Sequence, residues 1–125
     1  MEQRFQVGSM MGQQMQNCIE ACMTCHAVCV ETVQHCLKMG GKHAEPAHIR
    51  MLLDCQDICQ TSADFMLRGS EMHQRTCGVC AEVCEACAAD CAKFTDDSMM
   101  QRCAEACRMC AEECKKMAAG HSGMH

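Results

Sequence analysis

Residues 18–29 read CIEACMTCHAVC, four cysteines at successive spacings of 4, 3 and 4. The inner string CMTCH, residues 22–26, has the Cys-x-x-Cys-His form of covalent haem attachment. The spacing of all four cysteines argues otherwise, because alternating steps of 3 and 4 return a side chain to one face of an α-helix. The rest of the chain decides between the two readings. Cys36 follows Cys18, Cys22, Cys25 and Cys29 in the first group; Cys55 and Cys59 make the second; Cys77, Cys80, Cys84, Cys87 and Cys91 the third; Cys103, Cys107, Cys110 and Cys114 the fourth. Every gap inside a group is 3, 4 or 7, the spacing that lays a stripe along one helix face. The other Cys-x-x-Cys pairs, at 77/80, 84/87 and 107/110, are followed by Ala81, Ala88 and Ala111, and a haem would explain only two of 16 cysteines. CMTCH is a stretch of stripe that meets His26 one position off the seam.

The composition fits a core built from sulfur. At 125 residues the chain is long enough for one domain with a single core. Leu, Ile, Val and Phe together number only 16, with no Trp or Tyr, a level that in an ordinary chain points to disorder. The apolar mass lies instead in 16 Cys and 14 Met, supported by Ala; a free cysteine packs as a small hydrophobe and methionine fills irregular gaps. The net charge of -5 is spread over interspersed acids and bases, so nucleic acid is not an expected partner. The start, MEQRFQVGSMMGQQMQ, shows neither an export signal nor a twin-arginine pair, and no apolar run approaches the roughly 18 residues of a membrane span. A cytoplasmic location without a membrane partner is expected. Thiols stay reduced there, so the cysteine excess points to metal or redox chemistry rather than a disulfide framework.

Punctuation divides the chain into four helical segments, roughly 9–39, 46–68, 71–94 and 97–119, with 120–125 as a tail. GGKHAEP at 40–46 supplies glycine stops and Pro46 at a first helical position; GSE at 69–71 offers another stop and Ser70 as N-cap; FTDDS at 94–98 offers Thr95 or Asp97 as cap. Four amphipathic helices with short connections pack as an all-α, up-down-up-down four-helix bundle, a single domain with a cysteine-lined core.

Charge then narrows the chemistry. A disulfide needs Cβ atoms about 3.5–4.5 Å apart, closer than the roughly 5–6 Å of helical i,i+4 neighbours. Neither common cysteine string of iron–sulfur proteins is present. Glu45 and His48 form one Glu-x-x-His motif, where a di-iron bundle needs two. Isolated tetrathiolate zinc sites would each keep a buried double negative charge. Buried thiols start protonated, and exchanging each proton for Cu(I) leaves the core neutral; soft thiolate and thioether donors also select Cu(I). Cys-x-x-x-Cys occurs seven times, at 18/22, 25/29, 55/59, 80/84, 87/91, 103/107 and 110/114. The expected capacity is about seven Cu(I) ions at minimum and about 16 at saturation, one per cysteine. A zinc or general soft-metal buffer and a thiol or metal redox protein remain the alternatives, and no enzymatic activity is expected.

The repeats CIEAC, CHAVC, CQDIC, CAEVC, CAADC, CAEAC and CAEEC, set on four predicted helices, resemble the bacterial copper storage proteins over nearly the whole chain. That resemblance implies a bundle holding many Cu(I) ions on its core thiolates, pairwise in Cys-x-x-x-Cys motifs, with methionine and histidine ligands at one open end. It also implies kinship with the cytosolic branch, which tends toward homotetramers, and transfer to a copper chaperone or efflux partner. Antiparallel order gathers Met11, Met15, Met66, His73, Met117 and His121 at one end, the expected mouth. Leu52 and Phe94 would plug the other, where Met39, His48 and Met100 also fall. His26, His35, His43 and His125 have no seam position and are expected at the surface. Helix two carries only two cysteines and Ser62, which interrupts that wall.

Overall fold

A computed structural model describes residues 10–122, with side chains over residues 12–119. Helix α1 spans Met10–Met39, α2 Pro46–Leu67, α3 His73–Ala92 and α4 Ser98–Ser122, and a short 3-10 turn, Gly41–Ala44, joins the first two. The described residues contain no strand. Each helix packs on its two neighbours around a square, α1 on α2, α2 on α3, α3 on α4 and α4 on α1. Short connections force successive helices to run antiparallel, which gives the up-down-up-down four-helix bundle.

The helix ends follow from local chemistry. After α1, Gly40 and Gly41 take φ values of 70° and 56°, in the left-handed region that side chains with a Cβ avoid. After α2, Gly69 has φ 67°; its N–H donates to the Met66 carbonyl and that of Ser70 to the Phe65 carbonyl, the paired bonds of a Schellman stop. Pro46 opens α2, where a missing N–H costs nothing. Asp97, rather than Thr95, caps α4: its Oδ1 accepts from the backbone N–H of Met99 at 3.0 Å and Met100 at 3.3 Å. Ser70 is not the α3 cap expected from sequence. The helix starts at His73, and the Ser70 hydroxyl instead accepts the Met72 N–H at 3.1 Å, closing the preceding turn. Helix α4 continues to Ser122, so the tail expected from 120 is helical over its first three residues. The sequence AAGHS contains one glycine, which slows a helix without breaking it.

Among the larger described residues only Leu52, Met66, Met100, Met117 and Thr32 reach full burial alongside the cysteines. Alanines fill the spaces between helices, with Ala63, Ala81, Ala88, Ala104 and Ala111 all buried. Thr32 occupies the seven-residue gap between Cys29 and Cys36, and its hydroxyl donates to the Val28 carbonyl at 2.7 Å, which satisfies it inside the core.

Candidate metal centre

All 16 cysteines are fully buried and all are free thiols. They point at the bundle axis because the stripe on each helix is the face turned to its neighbours. Sulfurs approach closely between helices: Cys18 and Cys22 each lie 3.6 Å from Cys114, Cys59 lies 3.6 Å from Cys84, and Cys25 lies 3.7 Å from Cys107. Along one helix the 80/84 and 110/114 sulfurs lie 3.8 and 4.0 Å apart, and those of 25/29, 55/59 and 103/107 lie within 4.8 Å. Across the diagonal, where α2 and α4 make no backbone contact, Cys55 meets Cys107 and Cys59 meets Cys110, both at 3.8 Å. The cysteines form a column rather than a set of intrahelical clips.

The column has a regular construction. Its four-thiol groups include Cys22/Cys80/Cys110/Cys114, Cys59/Cys80/Cys84/Cys110, Cys25/Cys55/Cys59/Cys84, Cys25/Cys29/Cys55/Cys107 and Cys29/Cys87/Cys103/Cys107, each with ligand atoms within 4.8 Å of one another. Taken in that order, each group shares two thiols with the next. With metal–sulfur bonds of roughly 2.3 Å, ions centred in such edge-sharing groups would stand about 2.7 Å apart. At any fixed separation two divalent ions repel four times as strongly as two monovalent ones. Bridging thiolates along a shared edge therefore suit a chain of soft monovalent ions.

Proton sharing runs along the same contacts. The thiols of Cys107 and Cys110 push Cys25 down, and those of Cys103 and Cys25 push Cys107 up. Cys36, nearer one end, has its thiol raised to about 11, first by burial and then by the negative charge of Asp97. A thiol in that state is neutral at physiological pH and ready to exchange a proton for a metal.

At the end formed by the start of α1 and α3, Met66 and Met117 are buried and Met15 packs half-buried against the core. The Cys77 thiol donates to the Met66 sulfur at 3.8 Å and lies 3.4 Å from the Ser62 hydroxyl. His73 is half-buried, and its Nδ1 donates to the Ser70 carbonyl at 2.9 Å. The side chains of Met11 and His121 lie outside the described residues, as does His125.

The opposite end, where spacing places His48 and Met100, brings both onto Cys36. The Cys36 sulfur lies 3.4 Å from His48 Nε2 and 3.6 Å from the Met100 sulfur. His48 Nδ1 donates to Asp90 Oδ2 at 2.6 Å, which aims Nε2 at the thiol. Leu52 is fully buried, whereas Phe94 is half-exposed with its ring against His43 and His48, centroids 4.3 and 5.0 Å away. Cys91 lies beside Cys103 and Cys87, toward this end of the column. His26 donates to the Gln56 carbonyl at 2.8 Å. His26, His35 and His43, expected at the surface, are half-buried, and the last two are both bonded to Asp97. The burial of His35 and His43 comes from the 3-10 turn, which folds His43 back beside the end of α1.

A family model described as copper storage protein matches residues 11–119. Among solved structures, the chain is similar to the Nmul_A1745 protein of Nitrosospira multiformis: 48% identity, TM-score 0.80, covering 86% of this chain and 96% of that one. It is similar to the Cu(I)-bound copper storage protein BsCsp3, with 37% identity, TM-score 0.79, and coverage of 84% and 98%. Similarity extends to the copper storage protein Ccsp of Streptomyces lividans, loaded with 10 copper equivalents, at 31% identity, TM-score 0.77 and coverage of 90% and 89%. A further structure from that organism is of a cytosolic copper storage protein with five coppers. With a family match over nearly its whole length and a buried thiol column of matching architecture, the chain belongs to the copper storage protein family.

Proposed function

We propose that this protein stores many Cu(I) ions on the thiolates of its 16 core cysteines, in the cytoplasm and without catalysis. The observation that carries the proposal is the edge-sharing sequence of four-thiol groups, which gives bridging positions for monovalent ions along the axis. Cytoplasmic residence is supported by the cytosolic Streptomyces protein, and no helix among the described residues is long and apolar enough to cross a membrane. Assembly as a homotetramer and exchange with a copper chaperone or efflux partner belong to the same proposal; light scattering of the loaded protein reads the first.

Anaerobic titration with Cu(I) against a competing chelator, in a weakly buffered cell that records pH, is the direct test. We expect saturation at about 16 ions, with about one proton released per ion bound. Saturation at about four divalent ions, with no tight Cu(I) binding, would replace copper storage by a zinc buffer.

Beside the methionine end expected as the mouth, we propose entry at the His48 end. The support is graded exposure, from an Asp90 side chain 26% exposed, through His48 at 5%, to a fully buried Cys36. Met66 and Met117 at the far end then serve as terminal thioether ligands, with Met15, His73, Met11 and His121 proposed beside them. Replacing His48 and Met100 by leucine should slow Cu(I) uptake at least tenfold while leaving capacity within about two ions, because imidazole and thioether act only in passage. A greater slowing from the Met66 and Met117 leucine variants, measured by stopped-flow ultraviolet absorbance, would move the mouth to the methionine end.

A further inference from the structure

Outside the sulfur column one cluster brings together donors of a different chemical kind. His35 sits near the end of α1, His43 in the 3-10 turn and Asp97 at the cap of α4. Both imidazoles approach the same carboxylate oxygen: His35 Nε2 lies 2.7 Å from Asp97 Oδ2 and His43 Nε2 lies 2.9 Å from it. The other oxygen, Oδ1, is fixed by the backbone N–H groups of Met99 and Met100. His43 is held between the Phe94 ring and the edge of His35, whose centroid is 5.8 Å away. The cluster borders an open recess rimmed by Met39, Asp96 and Ser98, and no cysteine lines it.

We propose that His35, His43 and Asp97 form a second metal site, which binds one divalent ion of borderline softness, such as zinc, independently of the copper column. Two imidazoles and one carboxylate are three ligands of a four-coordinate centre, and the recess leaves the fourth position to water or to Asp96. The supporting shell is already in place, since the helix cap orients the carboxylate and Phe94 orients one ring. Metal–nitrogen and metal–oxygen bonds of roughly 2.0–2.2 Å need an ion placed among atoms that now touch, so the rings must swing outward modestly into the recess. Each Nε2 that binds the ion gives up its hydrogen bond to Asp97, and the ring keeps a proton on Nδ1. Nitrogen and oxygen donors favour Zn²⁺, Co²⁺ or Cu²⁺, whereas thiolates favour Cu(I), so the two sites sort ions by softness.

The test uses Co²⁺ on protein first filled anaerobically with Cu(I), with the copper loading measured separately. At about pH 7.5 we expect one further equivalent of cobalt, weak visible bands of nitrogen and oxygen ligation, and no sulfur-to-cobalt charge-transfer band. The double variant H35Q/H43Q should bind cobalt at least tenfold more weakly. D97N should weaken it similarly, and it keeps the α4 cap, since asparagine caps as well as aspartate. H26Q, which alters a histidine bonded to Gln56, should change nothing. Absence of cobalt binding at millimolar concentration, or equal binding by H35Q/H43Q, overturns the site. If copper fails to load but cobalt still shows the nitrogen and oxygen bands and loses them in H35Q/H43Q, the second site stands and the storage reading falls.

Discussion

Loading with Cu(I) is expected to raise the midpoint of thermal unfolding by more than about 20 °C, the largest effect foreseen for this protein. The apo core explains why the gain is so great. Leu52 is the one large aliphatic side chain in it that is fully buried, and most other interior positions hold cysteine or alanine. Little apolar area per residue leaves the empty bundle near the low end of domain stability. An ion present at a hundred times its dissociation constant adds about 2.7 kcal/mol, and a column with many ions multiplies that figure. The unfolded chain also offers thiols, which reduces the sum, but it lacks the shared edges that let one thiolate serve two ions. Scanning calorimetry under anaerobic conditions, before and after loading, measures the shift. A rise of only a few degrees would mean that copper sits on the surface or binds the unfolded chain equally well.

The second large effect concerns capacity. Replacing Cys25, Cys55, Cys59 and Cys84 together by alanine removes the middle group and with it both edges it shares with its neighbours. The bundle should survive, because each change deletes a single buried sulfur at about 1 kcal/mol apiece, while the remaining stripe still packs. Capacity should fall from about 16 to about 12 Cu(I) or fewer, and chelator-driven release should split into two phases, one for each half of the interrupted column. Conversely, Ser62→Cys places a thiol where a hydroxyl now lies 3.4 Å from Cys77, and should add about one ion. A quadruple variant that still holds about 15 ions, counted by metal analysis after gel filtration, would refute the bridged column.

The fold was legible because cysteine did two things at once in this chain. It marked the inward face at steps of 3 and 4, and, lacking competition from leucine or isoleucine, it left no second stripe to confuse the reading. Turn chemistry was equally plain at Gly40, Gly69 and Pro46, where backbone geometry and residue type agree. Spacing could not reveal which thiols meet. It suggested pairs along each helix, whereas the shorter separations, such as Cys22 to Cys114, join residues 92 positions apart. That information lives in helix rotation and offset, which depend on how alanines such as Ala104 and Ala111 let neighbouring helices approach. His35, His43 and Asp97 were hidden for a related reason, since they come from three segments and none lies on a seam. The one available signal was a histidine inside the GGKHAEP connection, too short a clue to locate its partner. Thr32 stands on the stripe by the same spacing, three residues after Cys29 and four before Cys36, but only the structure shows its hydroxyl satisfied by the Val28 carbonyl.

The diagonal approach of Cys55 to Cys107 and of Cys59 to Cys110 bears on turnover as well as binding. In the empty protein each helix is held to the others by packing and by a few hydrogen bonds and ion pairs such as His48–Asp90, so local opening of one helix, the kind of event that proteases exploit, involves no coordinate bond. Once ions bridge opposite walls, detaching any helix means rupturing coordinate bonds to every other one, and the separate opening units fuse into one. Cargo is therefore expected to set the lifetime of its own container, a filled bundle resisting protease longer than a drained one in a timed digestion.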